Sequence, residues 1–183
     1  MPRTGFTLFE TPIGGCAIAW RADLVAALQL PEANPQRTVE RLRRHLPGAL
    51  ADAPPPQVVR AIEQIRALLD GERRDLRDIG LDLGGIGPFA RRVYDFTRGV
   101  GPGRTTTYGE LARALGEPGA ARAVGHALGA NPFAIIVPCH RVLGADGRAG
   151  GFSARGGVAT KLRLLLIERA RLGDAPGLFD GEE

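Results

Sequence analysis

Three glycines and a proline within five residues, Gly84-Gly85-Ile86-Gly87-Pro88, divide this chain into two stretches that no single regular element can bridge. Glycine is costly to order and proline withholds a backbone donor, so neither helix nor strand runs through the break. Before it, the apolar pattern begins with a period of two; after it, the period is helical. The expectation is an α+β protein. Residues 1–85 form an N-terminal unit, a small antiparallel sheet with helices. Residues 86–172 form a mainly helical unit, and 173–183 an acidic tail.

Residues 6–10 and 15–20 alternate like strands on either side of Pro12-Ile13-Gly14-Gly15, and 24–28 make a third after the turn Arg21-Ala22-Asp23. This predicts an antiparallel meander. Cys16, Ile18 and Trp20 share one face of the second strand, which makes Cys16 a buried small hydrophobe without a function. Helical patterns follow at 36–46 and 57–70, the second opened by Pro54-Pro55-Pro56 and closed near Gly71. The Ala/Pro-rich stretch 47–56 between them reads as a loop. His45, beside Arg43 and Arg44 near a helix C-terminus, suits a place where a cation is favourable and not a ligand site.

Beyond the break, Phe89, Val93 and Phe96 share a helical face up to Gly99-Val100-Gly101-Pro102-Gly103. A second helix spans 108–115, capped by Thr106 or Thr107. The turn Gly116-Glu117-Pro118-Gly119 leads to a third at 120–128. Two short helices on a tight glycine turn are a helix-turn-helix candidate with 120–128 as recognition helix, although ordinary helical domains contain such pairs too. Positions 120, 121, 123, 125 and 127 are Ala or Gly, and Arg122 is the helix's only Lys or Arg. A helix this thin can press its backbone to a groove while one guanidinium reaches further in. Close helix packing selects the same small residues.

Charge is unevenly placed. The net +4 averages a neutral stretch 1–85, with 11 basic and 11 acidic residues, and a segment 86–172 with 13 basic against 5 acidic. That asymmetry points to a polyanion partner, against the alternative of a solvated surface in a chain that uses arginine almost exclusively. No apolar stretch approaches the roughly 20 residues of a membrane span, and the N-terminus carries no secretory pattern, so a cytoplasmic location is expected. Two cysteines, with histidines at 45, 126 and 140, offer neither a disulfide framework nor zinc-ligand spacing.

The apolar run Phe133-Ala134-Ile135-Ile136-Val137 reads as a buried strand ending in Pro138-Cys139-His140-Arg141-Val142. A thiol at a strand's mouth, followed at once by imidazole and guanidinium, is placed where the nucleophilic thiolate is favoured.

That block, following Asn131-Pro132, resembles the signature of the O6-alkylguanine-DNA alkyltransferases, or methylated-DNA–protein-cysteine methyltransferases. The resemblance covers residues 86–172. It takes in Thr107-Tyr108-Gly109-Glu110-Leu111-Ala112, Ala121-Arg122-Ala123-Val124-Gly125, Gly151-Phe152-Ser153, and Lys161 with Glu168 seven residues on. The first 85 residues match only in general plan, a ribonuclease H-like sheet with helices.

The resemblance implies a winged helix-turn-helix domain and a DNA-repair activity. The alkyl group of O6-alkylguanine passes to Cys139, once per molecule, without cofactor or metal; O4-alkylthymine is a further substrate left open. The protein would act as a monomer on double-stranded DNA through the minor groove, with the target guanine flipped out. His140 would relay the Cys139 proton through a water and Glu168 would orient it. Asn131 would brace the turn before the active site, Tyr108 would press on the target's phosphate and bond the flipped base, and Arg122 would fill the gap in the stack. Pro138 would line the base pocket, the Val142 carbonyl would accept from the exocyclic amine, and Ser153 would bind the O6 side.

Glu168 also stands out without the resemblance. On a helix at 159–172 its neighbours Leu164, Leu165 and Leu172 put a carboxylate at the edge of an apolar stripe, where it needs a partner, His140 or alternatively Arg171. Two departures affect the range of alkyl groups. Phe152 stands where many relatives carry Tyr, and Ala154-Arg155-Gly156-Gly157 lengthens the next loop and adds a cation. The competing reading is a non-enzymatic alkyltransferase-like lesion-binding protein, a group that lacks the cysteine. A Cys-His hydrolase of small acyl substrates would leave the helix pair and the local charge unexplained.

Overall fold

A computed structural model describes residues 1–150 and 152–170. Gly151 and residues 171–183, with Arg171, Leu172 and the expected acidic tail, lie outside the described residues. Strands β1 (Thr4–Thr11), β2 (Gly14–Arg21) and β3 (Leu24–Gln29) form the anticipated meander. Gly14, at φ +116°, takes a backbone conformation that side chains disfavour and so permits the β1–β2 turn.

The sheet is nevertheless mixed. A short strand β4 (Leu50–Ala51) lies parallel beside β1, giving the order β3-β2-β1-β4, and it falls in the stretch expected to be a loop. Two residues flanked by Pro and Gly show no period, so only the β1 edge that they cover could reveal them.

Strand β2 is buried on both faces. Cys16, Ile18 and Trp20 enter the main core with Val58 and Ile65 of α2 (Pro56–Leu69), whereas Ala17 and Ala19 join Phe6, Leu42, Leu46 and Ala49 beneath α1 (Pro35–Arg43). Asn34 caps α1, its Oδ1 accepting from Arg37 N at 2.9 Å. Each large apolar side chain so buried stabilises the fold by about 2 kcal/mol.

The main core continues past the glycine break. It takes Val93 and Tyr94 of α3 (Pro88–Arg98), Leu111 of α4 (Tyr108–Ala114), Val124 and Leu128 of α5 (Ala121–Gly129), and Leu164 of α6 (Val158–Ile167). Phe96, expected on the buried face of α3, is 46% exposed. Tyr94 is the aromatic that turns inward, its hydroxyl donating to Ala127 O at 2.9 Å. Thr107 caps α4 in a reciprocal box: its Oγ1 accepts from Glu110 N at 3.1 Å and its own N–H donates to the Glu110 carboxylate at 2.9 Å. Strand β5 (Thr106–Thr107) pairs in parallel with β6 (Val142–Leu143) and so ties the start of α4 to the segment after Cys139.

Residues 133–137 are not a strand. Ile136 N donates to Ala134 O and Val137 N to Phe133 O, both at 2.9 Å, and Ile135 sits at φ +60°. This is a tight buried turn. A short apolar run records burial without recording whether the chain is extended, and here Asn131 bends it. The amide of Asn131 accepts from Phe133 N and donates to Val137 O, each at 2.9 Å. A β-branched residue in the left-handed region costs about 1–3 kcal/mol, offset by these bonds and by the surrounding core.

Candidate active site

The turn delivers Pro138 and then a short 3-10 segment, Cys139–Arg141, before the chain enters β6. Cys139 is only 9% exposed, so its thiol is reached through a narrow opening. Asn131 Nδ2 lies 3.4 Å from the sulfur and donates to it. Burial pushes the Cys139 thiol up, against the opposing pull of the Asn131 bond, the Lys161 charge and the backbone N–H groups of Cys139 and His140. The expected thiolate bias from its sequence neighbours is therefore not met. Arg141 is committed elsewhere, to Glu168 and to Val100 O at 2.6 Å, and the resting group is a neutral thiol.

His140 is completely buried, with Nε2 2.8 Å from Glu168 Oε1. Burial lowers its pKa in spite of that carboxylate, so the ring is neutral at pH 7. Burial would raise Glu168, but the bonds from His140 and Arg141 prevail and hold its carboxyl at about 2. An ionised carboxylate fixes the tautomer: Nε2–H donates, which leaves Nδ1 with a lone pair. Nδ1 is buried and has no hydrogen-bond partner among the described residues. The result is a poised base next in sequence to a neutral thiol.

Glu168 sits at the C-cap of α6 and not inside a helix running to 172, and it holds two partners at once. Arg141 grips it in fork geometry, Nε to Oε2 at 2.9 Å and Nη2 to Oε1 at 2.7 Å.

Of the residues singled out from sequence, Asn131, Cys139 and Ser153 line one cavity of about 200 Å³. Tyr108 and Val142 meet instead at Lys161, whose Nζ donates to Val142 O at 2.6 Å and lies 5.9 Å from the Tyr108 ring centre. Arg122 stands apart on α5, in an open groove of about 990 Å³ bordered by Pro88, Phe89 and Ala120. The Tyr108 ring lies against the same helix at Gly125. Two side chains have no role in the sequence reading, Lys161 and Arg41, which reaches the cavity from α1, and Arg141 enters that reading only as a cation next to the thiol. Lys161 could have been suspected, since it precedes Leu164 and Leu165 on the buried stripe, and a lysine there requires a partner. Nothing in the sequence places Arg41. His45, expected to be favoured as a cation, has its pKa lowered by burial and then by Arg41 and Arg44.

The family model described as "6-O-methylguanine DNA methyltransferase, DNA binding domain" matches residues 88–170. A methylated-DNA–protein-cysteine methyltransferase of Mycolicibacterium paratuberculosis is 46% identical over 173 residues, 93% of this chain and 96% of that one. A "DNA base-flipping protein" of Thermus thermophilus is 46% identical over 123 residues, 67% of this chain and 76% of that one. The crystal structure of Mycobacterium tuberculosis OGT in complex with DNA superposes with a TM-score of 0.71 at 35% identity, covering 90% of this chain and 92% of the other. Fold and relatives define the class as α+β DNA-binding proteins with an alkyl-transfer centre. Within it, the chain belongs to the methylated-DNA–protein-cysteine methyltransferase family.

Proposed function

We propose that this protein repairs DNA by moving the alkyl group from O6 of guanine onto Cys139, once per molecule. One observation carries the reading: a neutral thiol beside a neutral histidine whose Nδ1 is free, with Glu168 clamping the other ring nitrogen. The thiol proton passes through a water to Nδ1. The sulfur attacks the alkyl carbon, the carbon–O6 bond breaks with its electron pair on guanine, and guanine leaves as its ring takes a proton from water, which the imidazolium later restores to solvent. The imidazolium so formed is stabilised by Glu168. The product is a thioether without a leaving group that water can displace, and no cofactor takes part.

The roles of the remaining residues belong to the same proposal. Asn131 steadies the sulfur and the turn before it. The α4–α5 pair with the β5–β6 ribbon supports the winged helix-turn-helix reading, and a meander with a parallel fourth strand supports the ribonuclease H-like plan for residues 1–85. Residues 86–172 then hold double-stranded DNA in the minor groove, where the Ala/Gly surface of α5 permits close approach and Arg122 replaces the flipped guanine in the stack. Tyr108 and Pro138 contact the flipped base. The Val142 carbonyl, already accepting from Lys161, keeps a second lone pair for the exocyclic amine. Ser153 binds the O6 side. We place the protein as a cytoplasmic monomer, and no helix among the described residues is long and apolar enough to cross a membrane.

The test is the mass of the peptide containing Cys139 after incubation with DNA bearing O6-methylguanine. One methyl increment is expected, absent in Cys139→Ala. Folded protein that binds the lesion without gaining mass leaves the lesion-binding alternative standing instead. Binding also weakens as salt rises if phosphate contacts dominate.

A further inference from the structure

The cavity beside Cys139 has a wall that DNA repair by alkyl transfer does not explain. Asn131, Phe152 and Ser153 come from the same half of the chain as the thiol, but the rest of the polar lining comes from α1, the two residues after it and the end of β3: Gln29, Arg41, Arg44 and His45. Of the residues assigned to the base, Ser153 borders this space and Tyr108, Pro138 and Val142 do not. An alkyl group held at the Cys139 sulfur therefore shares the cavity with the residues supplied by α1 and its C-terminal end.

That end of the cavity is cationic. Arg41 is spoken for: Nη1 donates to Glu32 at 2.8 Å, and Nη2 donates to the carbonyl of Ser153, which straps the wall to α1. Glu32 is held in turn by Gln29 Nε2 at 3.4 Å. Arg44 has no carboxylate within ion-pair distance among the described residues, so its charge is uncompensated. His45 adds a ring whose pKa is lowered by burial and by Arg41 and Arg44, a mark of local positive potential. A methyl group uses none of this.

We propose that helix α1 selects the alkyl group, and that the cavity takes O6-alkyl groups ending in a carboxylate, with Arg44 as the residue that recognises the acid. The proposal rests on the alkyl-transfer reading and extends it to substrate class. The chemistry is unchanged: the sulfur attacks the methylene carbon, the bond to O6 breaks with its electrons on guanine, and Cys139 becomes S-carboxymethylcysteine, its carboxylate lying against the guanidinium. Arg44 is exposed at the rim of the cavity, and a charge-assisted hydrogen bond from it favours the acid over an uncharged group of similar size by a few fold.

The experiment measures single-turnover transfer from three duplexes that differ only at O6: methyl, carboxymethyl, and isobutyl, which matches carboxymethyl in shape but carries no charge. The carboxymethyl-to-isobutyl rate ratio of the wild-type protein exceeds that of Arg44→Ala by about threefold to fivefold. Arg44→Ala removes that advantage and leaves methyl and isobutyl within about twofold of wild type, and Arg44→Lys restores most of it. Equal loss on all three duplexes would make Arg44 a DNA-phosphate contact and overturn the proposal, as would an Arg44→Ala protein that keeps the wild-type preference. Absence of methyl transfer by the wild-type protein would instead overturn the underlying reading of Cys139.

Discussion

The chain contains two buried cysteines, one in each half, and they are chemically opposite. Cys16 lies in β2 with no exposure, and burial drives its pKa to about 12, with the Glu10 carboxylate adding to the rise. Among the described residues its thiol meets one polar side chain, the Thr11 hydroxyl at 3.8 Å. Cys139 is also buried but keeps an opening to solvent, and it faces a donor from Asn131, the charge of Lys161 and two backbone N–H groups. Both thiols are neutral at rest. Burial alone therefore disarms a cysteine, and reactivity comes from what can take its proton and stabilise the sulfur that remains.

The largest expected difference is in labelling and transfer. In the native protein, iodoacetamide modifies Cys139 while Cys16 reacts about a thousandfold or more slowly than a free thiol, since both thiolate fraction and access are low. Peptide mass mapping over time checks this; comparable rates at the two positions would show that the contrast in surroundings is chemically empty. Next comes the base. His140→Ala slows alkyl transfer by about a hundredfold or more while lesion-DNA affinity holds, read by single-turnover kinetics and by binding titration.

Glu168→Gln acts on stability as well as rate. It leaves the buried Arg141 guanidinium without an ionised partner and costs about 3 kcal/mol in denaturant unfolding. A loss near zero would mean that Arg141 and His140 are held by something other than this carboxylate.

A pH series separates the two roles. Folded His140 titrates below its ordinary 6.5, so it remains a base at neutral pH, and transfer falls once pH drops through its lowered value. The folded Glu168 carboxyl, at about 2, lies below its ordinary 4.5, so its stabilisation is complete above 4.5 and is lost as pH falls toward 2. The two losses are read separately, the first by single-turnover kinetics and the second by acid unfolding. The smallest effect is that of Asn131→Ala, which removes the donor to sulfur and both turn bonds at a cost of about 1–3 kcal/mol, with transfer slowed about tenfold.

Much of this organisation could be read from residue pattern. The meander, the glycine break, the Thr107 cap and the helix pair follow from period and turn chemistry, which are local. Strand β4 could not be anticipated, since two residues gain their strand character only from the edge of β1. The error at 133–137 has a similar origin: Phe133, Ile135, Ile136 and Val137 announce burial, while the bend is imposed by the Asn131 side chain from outside the run. The pairing of His140 with Glu168 was within reach, because a carboxylate on an apolar stripe demands a partner. The fork from Arg141 and the cationic wall supplied by α1 depend on tertiary placement across 27 residues in one case and on the far half of the chain in the other.

The position of Glu168 also bears on how the protein is made. The carboxylate that orients His140 lies 28 residues further along the chain, at the end of α6. A polypeptide growing from its N-terminus exposes Cys139, His140 and Arg141 well before α6 is available to pack on them. Until then the histidine has no fixed tautomer and the guanidinium no counter-charge. The centre is therefore complete only when α6 has packed and Glu168 has met both His140 and Arg141.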